Sequence, residues 1–197
     1  MKQSTTLTRQ STTKNLTLSA MFIALGLTLP FLTGQIPEIG MMLLPMHIPV
    51  LLCGLICGWK YGAIVGFILP LMRSAVFGMP MLMPMAVSMA FELATYGFVI
   101  GLLYGISKWQ CIVALYRCMI IAMIAGRIVW GIAMWALLMG GFVPWGFTLE
   151  LFISGAFVGA IPGIILQLIL IPTVMVALNR AGLVRFHKAR NDEEATI

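Results

Sequence analysis

The chain is 197 residues long, 61% hydrophobic and 9% charged, with a mean hydropathy of +1.04. Soluble domains carry about 25% charged residues, so this composition excludes a soluble globular protein and indicates one compact bundle in a membrane. The net charge of +6 does not mark a nucleic-acid binder, because the basic residues fall at the ends of apolar segments.

Residues 1–15, MKQSTTLTRQSTTKN, are basic and rich in Ser and Thr, and read as a cytoplasmic tail. No small-x-small cleavage site follows that would make them a secretory signal. A bilayer core of roughly 30 Å needs about 20 apolar residues of helix. The first such segment covers about Leu16–Leu32 and ends at Pro30 and TGQIPEIG. The second, about Met41–Gly58, and the third, about Tyr61–Phe77, flank GWKYG. Pro45 and Pro49 interrupt the second, so a start at His47 leaves it short, kinked or partly re-entrant. FGMPMLMP (77–84) is a Pro/Gly/Met loop ahead of the fourth segment, about Met85–Tyr104. GISKWQ leads into the fifth, about Ile112–Met139, and GGFVPWGF into the sixth, about Leu149–Leu178. The expected fold is an all-α integral membrane protein, a six-transmembrane-helix bundle over 16–178 between cytoplasmic tails 1–15 and 179–197.

Threading six helices puts Lys2, Arg9, Lys14, Lys60, Lys108, Arg117, Arg180, Arg185, Lys188 and Arg190 on one side. The opposite loops, around 33–40, 78–84 and 140–148, hold no Lys or Arg. This asymmetry places both termini in the cytoplasm. Cys53, Cys57, Cys111 and Cys118 show neither a disulfide framework nor a zinc spacing and read as core filling.

Three charges remain inside apolar segments: Arg73, Glu92 and Arg127. Each costs about 2.5–3.5 kcal/mol to place at mid-membrane, so each faces a partner or water. At 1.5 Å of rise per residue, Arg127 lies about 15 Å beyond Arg117, and Glu92 sits at a similar depth from the outer end of segment 4. Arg73 lies about 18 Å from Tyr61, and Gln167 about 20 Å from Arg180. His47 falls towards the outer end of segment 2. The polar groups thus gather from the midplane outwards, above inner halves built of Leu, Ile, Val, Gly and Ala, which suggests an outward-open polar cavity with an apolar floor. Ser88, Glu92, Thr95 and Tyr96 share one helical face, as do Met123, Arg127, Trp130 and Met134. Two arginines against one glutamate favour a ligand with a carboxylate. The plainer reading is a structural ion pair between Glu92 and Arg127 or Arg73. The Met-rich loop reads as an adaptable lid; His and Cys spacing supports no metal.

The chain has no GxxxxGK[ST], no Asp before Asp192, no GxSxG and no HExxH. With one intramembrane carboxylate, paired-acid catalysis is not available, and the residues argue against an enzyme and against any bound cofactor. The chain is short for a self-sufficient transporter, which often has two related halves. A binding subunit driven by other proteins is the expectation.

HIPVLLCGLICGWKYGAIVGFILPLMRSAVFGMP, followed by MAFELATYGFVIGLLYG, resembles the substrate-binding (S) components of energy-coupling factor (ECF) vitamin importers. AMFIAL places Ala20 and Ala24 as in that family's AxxxA signature. The resemblance, over about 15–180, implies six helices with both termini inside and a prokaryotic plasma membrane. It implies a vitamin site near the outer face, closed here by about 33–46, 77–84 and 139–148. It also implies docking through Ala20 and Ala24 on a transmembrane coupling (T) subunit bound to two ATPases. Residues 47–105 are closest to the pantothenate-type members. The expected pocket residues are Glu92, Arg127, Arg73 and Tyr96, then His47, Trp130 and Gln167. Two other readings remain: a structural or assembly protein of the envelope, and a standalone proton-coupled carrier with Glu92 as its proton site.

Overall fold

A computed structural model describes residues 2–33, 44–107, 111–142 and 159–181. Among these residues the chain forms six α-helices: α1 (Lys2–Thr28), α2 (His47–Cys57), α3 (Trp59–Phe77), α4 (Val87–Ile106), α5 (Ile112–Met139) and α6 (Ile161–Arg180). A short 3₁₀ turn (Leu29–Thr33) continues α1, and a single π turn (Leu82–Ala86) leads into α4.

Five of the helices are long and apolar enough to cross a membrane, with spans at Thr12–Phe31, Trp59–Phe77, Leu82–Ile106, Ile112–Met139 and Ile161–Arg180. α2 is the exception, at 11 residues, or about 16 Å of helix. Its brevity follows from the prolines that flank its start. Pro49 is accommodated in the first turn, where backbone N–H groups have no intrahelical acceptor. α1 begins earlier than the apolar run that starts at Leu16, continuing the helix back through the Ser/Thr-rich stretch to Lys2. The first part of the expected sixth segment, 149–158, lies outside the described residues, as do most of the loops at 33–46 and 139–148.

Pairs of contacts give the helix directions. Ser19 Oγ lies 3.7 Å from Cys53 Sγ, while Arg73 Nη1 donates to the Leu27 carbonyl at 3.1 Å. Glu92 meets His47 near the start of α2, and Gly97 meets Gly54 near its end. Leu93 faces Gly66 and Gly101 faces Trp59. These pairs make α2 and α4 parallel and α1 and α3 antiparallel to them. Arg127 meets Glu92 and Gly126 meets Tyr96, which makes α5 antiparallel to α4 as well, so Lys14, Lys60 and Arg117 share one end of the bundle and Arg73 lies towards the other.

Glycines let three of these helices touch backbone to backbone. A Cβ on Gly62 would sit 2.6 Å from Gly54 Cα and 2.8 Å from the Gly97 carbonyl oxygen. Close approach through small residues is the usual way membrane helices gain dispersion contact, since lipid gives no hydrophobic drive between helices. Gly58, at φ 92°, makes the sharp turn between α2 and α3 that brings Gly54 and Gly62 together.

Apolar side chains from α2, α4, α5 and α6 fill the interior: Leu51, Leu55, Tyr96, Ile100, Met119, Met123, Ile171 and Met175 are all buried. A second cluster, with Val50, Cys53, Val65, Leu69 and Leu93, packs under α1. The four cysteines are free.

Candidate functional site

Each of four helices carries a polar residue into the interior, and three of these, on α2, α4 and α5, meet one another. The four are His47 (α2), Glu92 (α4), Arg127 (α5) and Gln167 (α6), between 1% and 6% exposed. One helical turn along each helix leads to Leu51, Tyr96, Met123 and Ile171, all part of the apolar core. The polar groups thus form a layer capping that core.

Arg127 Nη1 donates to Glu92 Oε1 at 2.9 Å, and His47 Nε2 lies 3.5 Å from the same oxygen. The His47 ring meets the Tyr96 ring edge to face, with centroids 5.1 Å apart. Tyr96 in turn packs into the notch at Gly126, where a Cβ would stand 3.0 Å from the phenol ring. A tight turn ahead of α2 sets His47 in place: its N–H donates to the Leu44 carbonyl at 3.1 Å. Leu44 is held there at φ 49°, a conformation that costs a branched residue about 1–3 kcal/mol and is found where surrounding structure enforces it.

Several polar atoms in the layer have no hydrogen-bond partner among the described residues: His47 Nδ1, Arg127 Nε and Nη2, and Gln167 Nε2. A buried donor left unmade costs about 1–3 kcal/mol, and more when charged. A structural ion pair accounts for Arg127 Nη1 but for none of these atoms.

Beside the layer, between α5 and α6, is a cleft of about 200 Å³ lined by Tyr96, Ile120, Met123, Ile124, Arg127, Ile164 and Leu168. Ile164, Gln167, Leu168 and Ile171 share one face of α6, at i, i+3, i+4 and i+7, which sets Gln167 between two residues of the cleft wall.

Glu92, Arg127, His47 and Tyr96 are thus brought together, with Gln167 alongside the cleft. Trp130 is half-buried one turn beyond Arg127. Arg73 has different partners. Its guanidinium is bonded to the Leu27 carbonyl and lies 5.7 Å from the Phe31 ring and 5.6 Å from the Phe77 ring. Those rings pair edge to face at 5.0 Å. Charge at the Glu92 cluster is consequently balanced, one guanidinium against one carboxylate, rather than net positive. Thr95 donates back to the Phe91 carbonyl at 2.8 Å, and Ser88 to the Met85 carbonyl at 2.9 Å, so neither hydroxyl proton is turned to the cluster. The cleft walls Ile120, Ile124, Ile164 and Leu168 carry no polar signal. Only the placement of Gln167 on their face marks them.

Membrane-spanning helices packed around buried polar groups, not all of them paired among the described residues, define a multi-pass membrane protein with a candidate site in its interior. Residues 14–177 match the family of substrate-specific components of ECF transporters, and the chain belongs to that family. Its members are the membrane-embedded substrate-binding subunits of these transporters and are not enzymes; they bind small molecules and pair with T and ATPase subunits. No curated protein and no solved structure matches the chain.

Proposed function

We propose that the chain captures a water-soluble vitamin at the outer face of a prokaryotic plasma membrane and delivers it inward with a T subunit and two ATPases. Pantothenate or another anionic vitamin is the first choice of substrate. The membrane domain runs over 16–178, in six membrane-embedded helices, with 1–15 and 179–197 as cytoplasmic tails. The common end of Lys14, Lys60 and Arg117 supports that orientation by the positive-inside rule.

The observation that carries this reading is the set of buried donors without partners among the described residues, on Gln167 and on Arg127, the latter beside Glu92 and His47. Acceptor oxygens of a ligand would complete them, and an Arg edge is the strongest carboxylate partner a protein offers. Ala20 and Ala24 are exposed on α1, flanked by Leu16, Met21 and Leu25, whereas Ser19 and Gly26 face the bundle. A small-residue strip open to the bilayer suits close docking of a helix from the T subunit.

A thermal-shift panel of B vitamins on the detergent-purified chain tests the reading. A ligand at 100 times its dissociation constant adds about 2.7 kcal/mol. Stabilisation by one vitamin is expected; stabilisation by none, with folded protein, contradicts it.

A further inference from the structure

With Arg73 engaged elsewhere, the buried cluster holds one cation and one anion, and His47 completes it. Arg127 Nη1 holds Glu92 Oε1 at 2.9 Å, while His47 Nε2 stays 3.5 Å from the same oxygen. A charged ring would close on a carboxylate to about 2.7–2.9 Å, so the longer spacing marks an uncharged imidazole. Among the described residues, the titratable or charged groups facing this ring are Glu92 and Tyr96 from α4 and Arg127 from α5. α6 buries only the neutral Gln167 as a polar group. On α2 the next titratable group is Cys53, beyond the following turn. Arg73 of α3 is taken up by Leu27, Phe31 and Phe77, and Lys14 of α1 lies at the opposite end of the bundle.

His47 and Glu92 are each 1% exposed and Arg127 6%, so water does not share their charge. A second carboxylate sealed in beside Glu92 leaves one negative charge uncompensated, and a buried unpaired charge neutralises rather than persists. Imidazole is the side chain that gains charge as the pH falls from about 8 to 5. Its second nitrogen points the same way. In the neutral ring that donates Nε2–H to Glu92, Nδ1 is an acceptor, and it has no partner among the described residues. Protonation makes Nδ1 a donor, like the unpaired Nε and Nη2 of Arg127, and all three then suit the oxygens of an anion.

We infer that His47 takes up one proton as an anionic ligand binds, so that anion and proton are captured together. This rests on the reading of the cluster as the site of an anionic vitamin. The sign follows from linkage. Affinity for an anion is full at low pH and falls as the pH rises through the range where the ring loses its proton, by up to tenfold per pH unit for one linked proton. A neutral ligand brings no charge to balance and has no such slope.

The test measures binding to the full chain in lipid nanodiscs, with pantothenate and its neutral alcohol, pantothenol, as probes. Between about pH 6 and pH 8, where the carboxylate stays ionised and imidazole titrates, the dissociation constant of pantothenate is expected to rise at least tenfold. That of pantothenol changes less than twofold. Calorimetry of the parent chain in two buffers of different ionisation enthalpy counts the protons without any variant: uptake with pantothenate approaches one at the upper end of that range, and pantothenol takes up none. In a His187→Gln chain His47 is the one remaining histidine, and its imidazole NMR signals pass to the charged form when pantothenate is added. His47→Gln removes the pH slope. Pantothenate binding without slope or proton uptake would overturn the inference and leave the importer reading standing. A slope that survives in His47→Gln would place the proton on another group and overturn it as well. Binding of neither probe by a folded chain would overturn the choice of pantothenate, and the inference with it.

Discussion

Arg127 donates to Glu92 across 2.9 Å, and that bond joins α5 to α4 directly above the apolar core. Glu92→Ala removes the only carboxylate near this guanidinium among the described residues and leaves a buried cation uncompensated. Breaking a buried pair from one side costs about 3–5 kcal/mol. Thermal unfolding in one detergent is expected to show that loss, with a smaller one for Glu92→Gln, which keeps an acceptor. Equal stability for Glu92→Ala and the parent would mean the pair does not form.

Arg73 separates stability from binding. Its bond to the Leu27 carbonyl and its two aromatic neighbours tie α3 to the end of α1. A hydrogen bond from a charged group contributes about 1.5–3 kcal/mol, so Arg73→Met is expected to lower the unfolding temperature by several degrees. Ligand affinity should stay within about twofold. A tenfold loss of affinity in a folded Arg73→Met protein would restore Arg73 to the site.

The glycine contacts make a sharp local prediction. Gly97→Val forces α4 away from Gly62 and Gly54; inserted carbons at such a contact cost about 1–3 kcal/mol. Gly105, on the same helix, has open space where a Cβ would stand, with no neighbour within 4 Å. Gly105→Ala should be neutral or stabilising by up to about 1 kcal/mol through helix propensity. Guanidinium or heat denaturation of the two variants side by side checks the contrast.

Charge placement and prolines made much of this architecture legible. Glu92 and Arg127 stood out because an ionised group in an apolar run must find a partner, and they found each other. Pro45 and Pro49 announced the short α2, which starts at His47. Depth along a helix follows from counting residues, and the count and the structure agree in setting Arg73 towards the end opposite Lys14 and Lys60. Counting says nothing about which neighbour a face meets across the bundle, so it does not separate Arg73, whose partners are Leu27, Phe31 and Phe77, from Glu92. The cleft was invisible for a related reason. Ile164 and Leu168 differ in no way from lipid-facing residues until α6 is packed against α5.

Ala20 and Ala24 offer a test of assembly apart from ligand capture. Both are exposed on α1, so Ala20→Trp and Ala24→Trp should leave unfolding temperature and vitamin binding unchanged. Co-purification with T and ATPase subunits should fall at least tenfold. Retained co-purification in both variants would place docking on another face.

The most direct measurement of the central claim is equilibrium binding of B vitamins to the purified chain alone, beside Arg127→Ala. The account predicts that the parent binds one vitamin per chain without T or ATPase subunits. It predicts that Arg127→Ala, still eluting as a folded bundle, loses that binding. Undiminished affinity in Arg127→Ala would contradict it, and so would a folded parent that binds no vitamin.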